Sequence, residues 1–110
     1  MPTTTQPNRW YHDLAYFAGG LFLANVFPHF VAGITGQRFQ SPFASPPGIG
    51  LSSPVSNVAW SLMNLAVAYV LLGRVGSFEP RRWRHALTFG SGFALAALLL
   101  ARYFGKLHAQ

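Results

Sequence analysis

Three long apolar runs, each broken by only a few polar side chains, set the pattern of this 110-residue chain. The first extends from Leu14 to about Thr35. The second runs from Pro54 to Leu72 or Gly73, and the third from Ala86 to about Phe104. A helix of about 20 residues crosses the hydrocarbon core of a bilayer. The pattern predicts an all-α integral membrane protein with three transmembrane helices, over about 9–35, 54–73 and 80–105, in a single transmembrane domain over 1–110.

The punctuation agrees with the periodicity. Residues 1–8 are polar and read as a frayed N-terminus, with Asn8 as an N-cap. Gly36 suits the left-handed turn that closes a helix. Ser53 as N-cap and Pro54 at the first helical position open the second helix, and Pro80 is expected to open the third. Between the first and second helices, residues 37–53 carry Pro42, Pro46, Pro47, Gly48 and Gly50. That composition forbids regular helix and disfavours a central strand. Phe39, Phe43, Ile49 and Leu51, with Arg38 as the one charge, argue against a solvated linker. The segment is expected as an irregular outer-surface loop, on the bilayer surface or over the helix ends. A flexible connector and a partner-docking strap are the alternatives.

The polar residues inside the runs carry the candidate chemistry. Asn25 and His29 are spaced i, i+4 and share a face of the first helix. Asn57, Ser61, Asn64 and Ala68 follow i, i+4, i+7, i+11 on the second. Both helices pass through one intervening loop, so Asn25 and Asn64, near their midpoints, come to similar depth. His29 lies about 6 Å further along, level with Ser61 and Trp60. Pro28 cannot donate to the carbonyl of Ala24. An unpaired carbonyl in hydrocarbon is costly, and the Asn64 amide or a water is the expected remedy. Asn25, His29, Asn57, Ser61 and Asn64 therefore form a predicted interhelical polar cluster. Small residues at Gly20 and Ala24, and at Gly90, Ser91 and Gly92, allow close helix approach. Leu98, Leu99 and Leu100 are expected to face lipid.

Charge then sets orientation. Trp10 and Tyr11, with Arg74, Arg81, Arg82, Trp83 and Arg84, read as membrane-interface anchors. Arg9 and the four Arg of the 74–85 loop stand against Arg38, Arg102 and Lys106 on the other side. Five against three predicts a cytoplasmic N-terminus and 74–85 loop, with the 37–53 loop and C-terminus opposite, as in a bacterial-type inner membrane. Charged residues make up 9% of the chain, against about 25% in soluble domains. The net charge of +6 belongs to helix flanks and not to one face, so no nucleic-acid partner is expected. The chain has no cysteine, which excludes disulfides, thiolate catalysis and iron–sulfur clusters.

Of the functional candidates, His29 is the ionisable residue placed deepest, and such residues are default sites. It is the candidate cofactor ligand, for a macrocycle pigment or haem, although His12, His85 and His108 all lie near span ends. No span holds a carboxylate, so no catalytic residue is named and no metal site is expected. The expected function is a non-catalytic accessory subunit packed against other membrane protein subunits and membrane lipids. The alternative is a ligand-binding protein or oligomeric transporter, taking a pigment, quinone, lipid or small solute in a pocket around His29. An enzyme acting on lipid is a third reading.

Overall fold

The computed structural model of the protein describes residues 9–109. The expected Asn8 cap and the frayed 1–8 segment lie outside them. Helix α1 spans Trp10–Ile34. Its 25 residues give a rod of about 37 Å, longer than the hydrocarbon core of about 30 Å. Arg9 is the N-cap, and the Nδ1 of His12 accepts from its backbone N–H at 3.1 Å. At the other end Thr35 is the C-cap, and Gly36 takes φ +75°. Gly36 N donates to Gly33 O and Gln37 N to Ala32 O, the paired bonds of a Schellman close.

Helix α2 spans Pro54–Val70 and runs into a π-helical turn, Leu71–Val75. Ser53 caps it by accepting from Ser56 N at 3.1 Å, as expected. The end falls two residues beyond the predicted Gly73. Helix α3 spans Trp83–His108, so Pro80 does not open it. Arg82 is extended at φ −83°, ψ 115°, and Arg82 N donates to Glu79 O across a turn that holds Pro80. Lys106 and His108 in the last turn complement the negative end of the dipole, and α3 continues past the predicted 105. All three helices are long and apolar enough to cross a membrane.

The 37–53 segment departs from an all-α, irregular expectation. Strands β1 (Phe39–Gln40) and β2 (Leu51–Ser52) pair antiparallel, with Phe39 opposite Ser52 and Gln40 opposite Leu51. The hydroxyls of Ser41 and Ser52 lie 2.5 Å apart. The Pro/Gly stretch forms the turn between the strands, where a Cβ at Gly50 would collide with the Ser45 carbonyl. The segment caps the ends of the helices.

Helix α1 occupies the middle. It packs against α2 and α3 to a similar extent, while α2 and α3 make no comparable contact with each other. A Cβ on Gly20 would strike Phe89 O, and one on Gly92 would strike Phe17 O. The α1–α3 crossing is therefore backbone against backbone. Gly90, expected on the same small face, has open space beside it. Gly33 gives α1 its close approach to Pro54 and Val58 of α2.

The burial pattern is inside-out relative to a soluble domain. Small and polar residues are buried, whereas Leu14, Phe27, Val31, Ile34, Leu62 and Leu98 are exposed. Such a surface matches lipid. The chain is multi-pass by the length and composition of these helices.

Candidate ligand-binding cavity beneath the cap

The second helix buries four side chains along its length, Asn57, Ser61, Asn64 and Ala68, the stripe predicted by spacing. Asn57 is wholly buried and joins three elements. Its amide nitrogen lies 3.0 Å from Phe39 O, 3.3 Å from Ser52 O and 3.2 Å from Ser53 O. Three carbonyls around one end of the side chain fix which end is nitrogen. The other end, Oδ1, meets His29 Nδ1 at 2.8 Å. Because Oδ1 only accepts, His29 Nδ1 must carry the proton, and Nε2 keeps its lone pair. Among the described residues no partner meets Nε2.

One level deeper, Asn25 Nδ2 donates to Asn64 Oδ1 at 3.2 Å, as the depth matching predicts. The Asn64 amide does not cover the Ala24 carbonyl freed by Pro28. It donates to Trp60 O at 2.8 Å within its own helix, a local bond that wins on proximity. Ser61 is also corrected. It is buried in the interface, but its hydroxyl donates to Val58 O at 2.7 Å and bridges nothing. Among the described residues the interhelical cluster is thus two bonds, Asn25–Asn64 and His29–Asn57.

Aromatic edges enclose the His29 ring. Phe39, Trp60 and Phe104 stand 5.5, 6.4 and 6.3 Å away, centroid to centroid, each nearly perpendicular. His29 borders a cavity of about 360 Å³ with Asn25, Trp60, Tyr103 and Phe104, under Ser41 and Gly48 of the cap. No Arg, Lys, Asp or Glu lines it. Trp60 carries the one buried side-chain polar atom without a hydrogen-bond partner among the described residues, its Nε1. A second cavity of about 370 Å³, between α1 and α3, shares Leu100 and Phe104 as wall residues and is lined by Phe27, Pro28 and Phe93. Leu98 and Leu99 face outward as expected, but Leu100 belongs to both cavity walls.

Several site residues escape sequence reasoning. Tyr103 donates from its hydroxyl to Gly48 O at 2.7 Å, and His108 Nε2 meets Gln40 Oε1 at 3.0 Å. These bonds tie α3 to the cap. Tyr103 and His108 read in sequence only as span-end polar residues. At the opposite end, Tyr16 accepts from Ser77 N at 3.0 Å and stacks near His85, whose Nδ1 accepts from Glu79 N. The anchors collect at this end. Trp10, Tyr11, Arg74, Arg81, Arg82, Trp83 and Arg84 are all exposed there.

Among the described residues no group of three or more His, Cys, Asp or Glu is placed to hold a metal ion. Comparison with protein-family models, with curated proteins and with solved structures found no match. The cavity's own chemistry is therefore the ground for a functional reading.

Proposed function

We propose that this chain is a non-catalytic multi-pass membrane protein that binds a membrane-soluble small molecule in the cavity beneath the 37–53 cap. The carrying observation is the cavity itself, which His29 borders, aromatic rings wall and no Arg, Lys, Asp or Glu lines. The volume of about 360 Å³ falls in the range of small-molecule sites, about 300–1,000 Å³. With aromatic edges around the imidazole, that space suits a head group better than a whole haem or pigment macrocycle. By the positive-inside rule the arginine-rich end is cytoplasmic, which places the cavity in the outer half of the bilayer.

The accessory-subunit reading has weaker support. Bilayer lipid is enough to cover the outward Leu and Phe side chains, so they do not call for a protein partner. Purification in mild detergent followed by solvent extraction and mass spectrometry tests both readings. One lipophilic compound should accompany the protein at near-equal molar ratio and be lost from Leu100→Trp, which fills the cavity wall. Folded protein that carries no such compound, or a variant that carries as much, overturns the ligand reading. A co-purifying stoichiometric protein would restore the subunit reading.

A further inference from the structure

The arginine-rich end is more ordered than its role in setting topology requires, since that role depends on the number of charges alone. Four consecutive backbone N–H groups of its loop are each bonded to a helical residue. Gly76 donates to Leu71 O and Phe78 to Leu72 O, both in the π-helical turn. Ser77 donates to the Tyr16 hydroxyl on α1, and Glu79 to His85 Nδ1 on α3. Tyr16 is buried, and a Cβ on Gly76 would strike its ring. Arg82 N then donates to Glu79 O and closes the turn. The backbone that carries Arg81, Arg82 and Arg84 is thus tied to all three helices. These three arginines and Trp83 line a depression of about 200 Å³. All four side chains are exposed. Among the described residues none of the three guanidinium groups has an ion-pair or hydrogen-bond partner.

Independently of the reading of the cavity under the cap, we propose that this depression binds the phosphate of an anionic phospholipid whose head group carries no cation. A guanidinium fork pairs with phosphate oxygens, often two at a time. The end holds five arginines, Arg9, Arg74, Arg81, Arg82 and Arg84, against two carboxylates, Asp13 and Glu79. Three of the five border one space, and Arg74 does not. A choline or ethanolamine head group would bring its own cation against them. The acyl chains have a surface to follow. Leu87 lies one turn after Trp83 on the same face of α3, and Ala94 and Leu98 continue that face, all of them exposed. A soluble phosphate would make no use of it, so the surface favours a lipid as the source of the anion.

The full chain in detergent is titrated with phosphatidylglycerol or with phosphatidylcholine of the same acyl chains, and the bound states are resolved by native mass spectrometry. One phosphatidylglycerol should bind saturably and more tightly than phosphatidylcholine. Arg82→Gln and Arg84→Gln should each weaken it by about tenfold, the share of one charge-assisted hydrogen bond. Both side chains are exposed, so the loop beneath them keeps its bonds. Arg74→Gln and the cavity-filling Leu100→Trp should leave the binding unchanged. Equal binding of the two lipids, or an equal loss from Arg74→Gln, overturns the site and leaves only diffuse charge. Loss from Leu100→Trp overturns it by moving the lipid to the cavity. Displacement of the lipid by glycerol phosphate at equal concentration overturns the lipid assignment in favour of a soluble anion.

Discussion

His29 and Asn57 are joined Nδ1 to Oδ1 over 2.8 Å, and the three carbonyls at the other end of Asn57 decide which atom holds the proton. The expected state is a neutral ring with a pyrrole-type Nδ1 and a pyridine-type Nε2, readable from nitrogen-15 shifts of labelled histidine assigned by His29→Gln. The reverse tautomer would mean that the Asn57 amide is turned around.

The same arrangement ranks substitutions at position 57. Asn57→Ala removes the bonds to the cap and to His29 and should destabilise by about 2–3 kcal/mol, since it leaves buried groups unsatisfied. Asn57→Asp is expected to be at least as damaging near neutral pH. It keeps an acceptor for His29 but turns a second oxygen toward the carbonyls of Phe39, Ser52 and Ser53. Denaturant or thermal unfolding in detergent measures both. An Asp variant as stable as wild type would contradict the bonding around Asn57.

Gly90 and Gly92 differ by two positions and should respond oppositely to alanine. Gly92→Ala drives a methyl group into the Phe17 carbonyl and forces α1 and α3 apart, a loss of about 1–3 kcal/mol for overpacking. Gly90→Ala meets nothing within 4 Å and gains helix propensity, up to about 1 kcal/mol. Equal effects at the two sites would place the crossing elsewhere.

Tyr103→Phe deletes the hydroxyl that holds Gly48 and should loosen the cap by about 1 kcal/mol. Amide exchange should quicken across residues 39–52 while α2 keeps its protection. Exchange that rises equally along α2 would mean that the cap and α2 open as one unit.

Because the chain has no cysteine, single cysteines give a clean background for orientation. In intact cells a membrane-impermeant thiol reagent should label Ala44→Cys in the cap and miss Ser77→Cys beside the arginine-rich end. The opposite labelling would reverse the proposed topology.

Periodicity and punctuation carried much of the fold into view. The spacing of Asn57, Ser61, Asn64 and Ala68 marks the face that α2 buries, because helical period and burial are the same geometric fact. Depth arithmetic likewise pairs Asn25 with Asn64. Partner choice was less legible. The Asn57 amide serves Phe39 and Ser52, and where a Pro/Gly-rich loop returns is not written in any period. Trp60 lies three residues after Asn57 and four before Asn64, on the flank of the polar stripe, and spacing alone does not say whether its N–H finds a partner. The bond of His108 to Gln40 spans 68 positions and needs the cap to be placed first. Gly90 and Gly92 are equivalent in composition, and only the rotation of α3 about its axis separates them.

The central place of α1 has a consequence for the order in which the chain assembles. The polar side chains inside the first helix, Asn25 and His29, find their partners on α2, at Asn64 and Asn57. The third helix meets the middle of α1 through glycine backbone and aromatic rings. A nascent chain ending after Val75 therefore already holds the bonds that satisfy those two side chains. The first two helices are thus a hairpin whose Asn25 and His29 bonds are complete without α3.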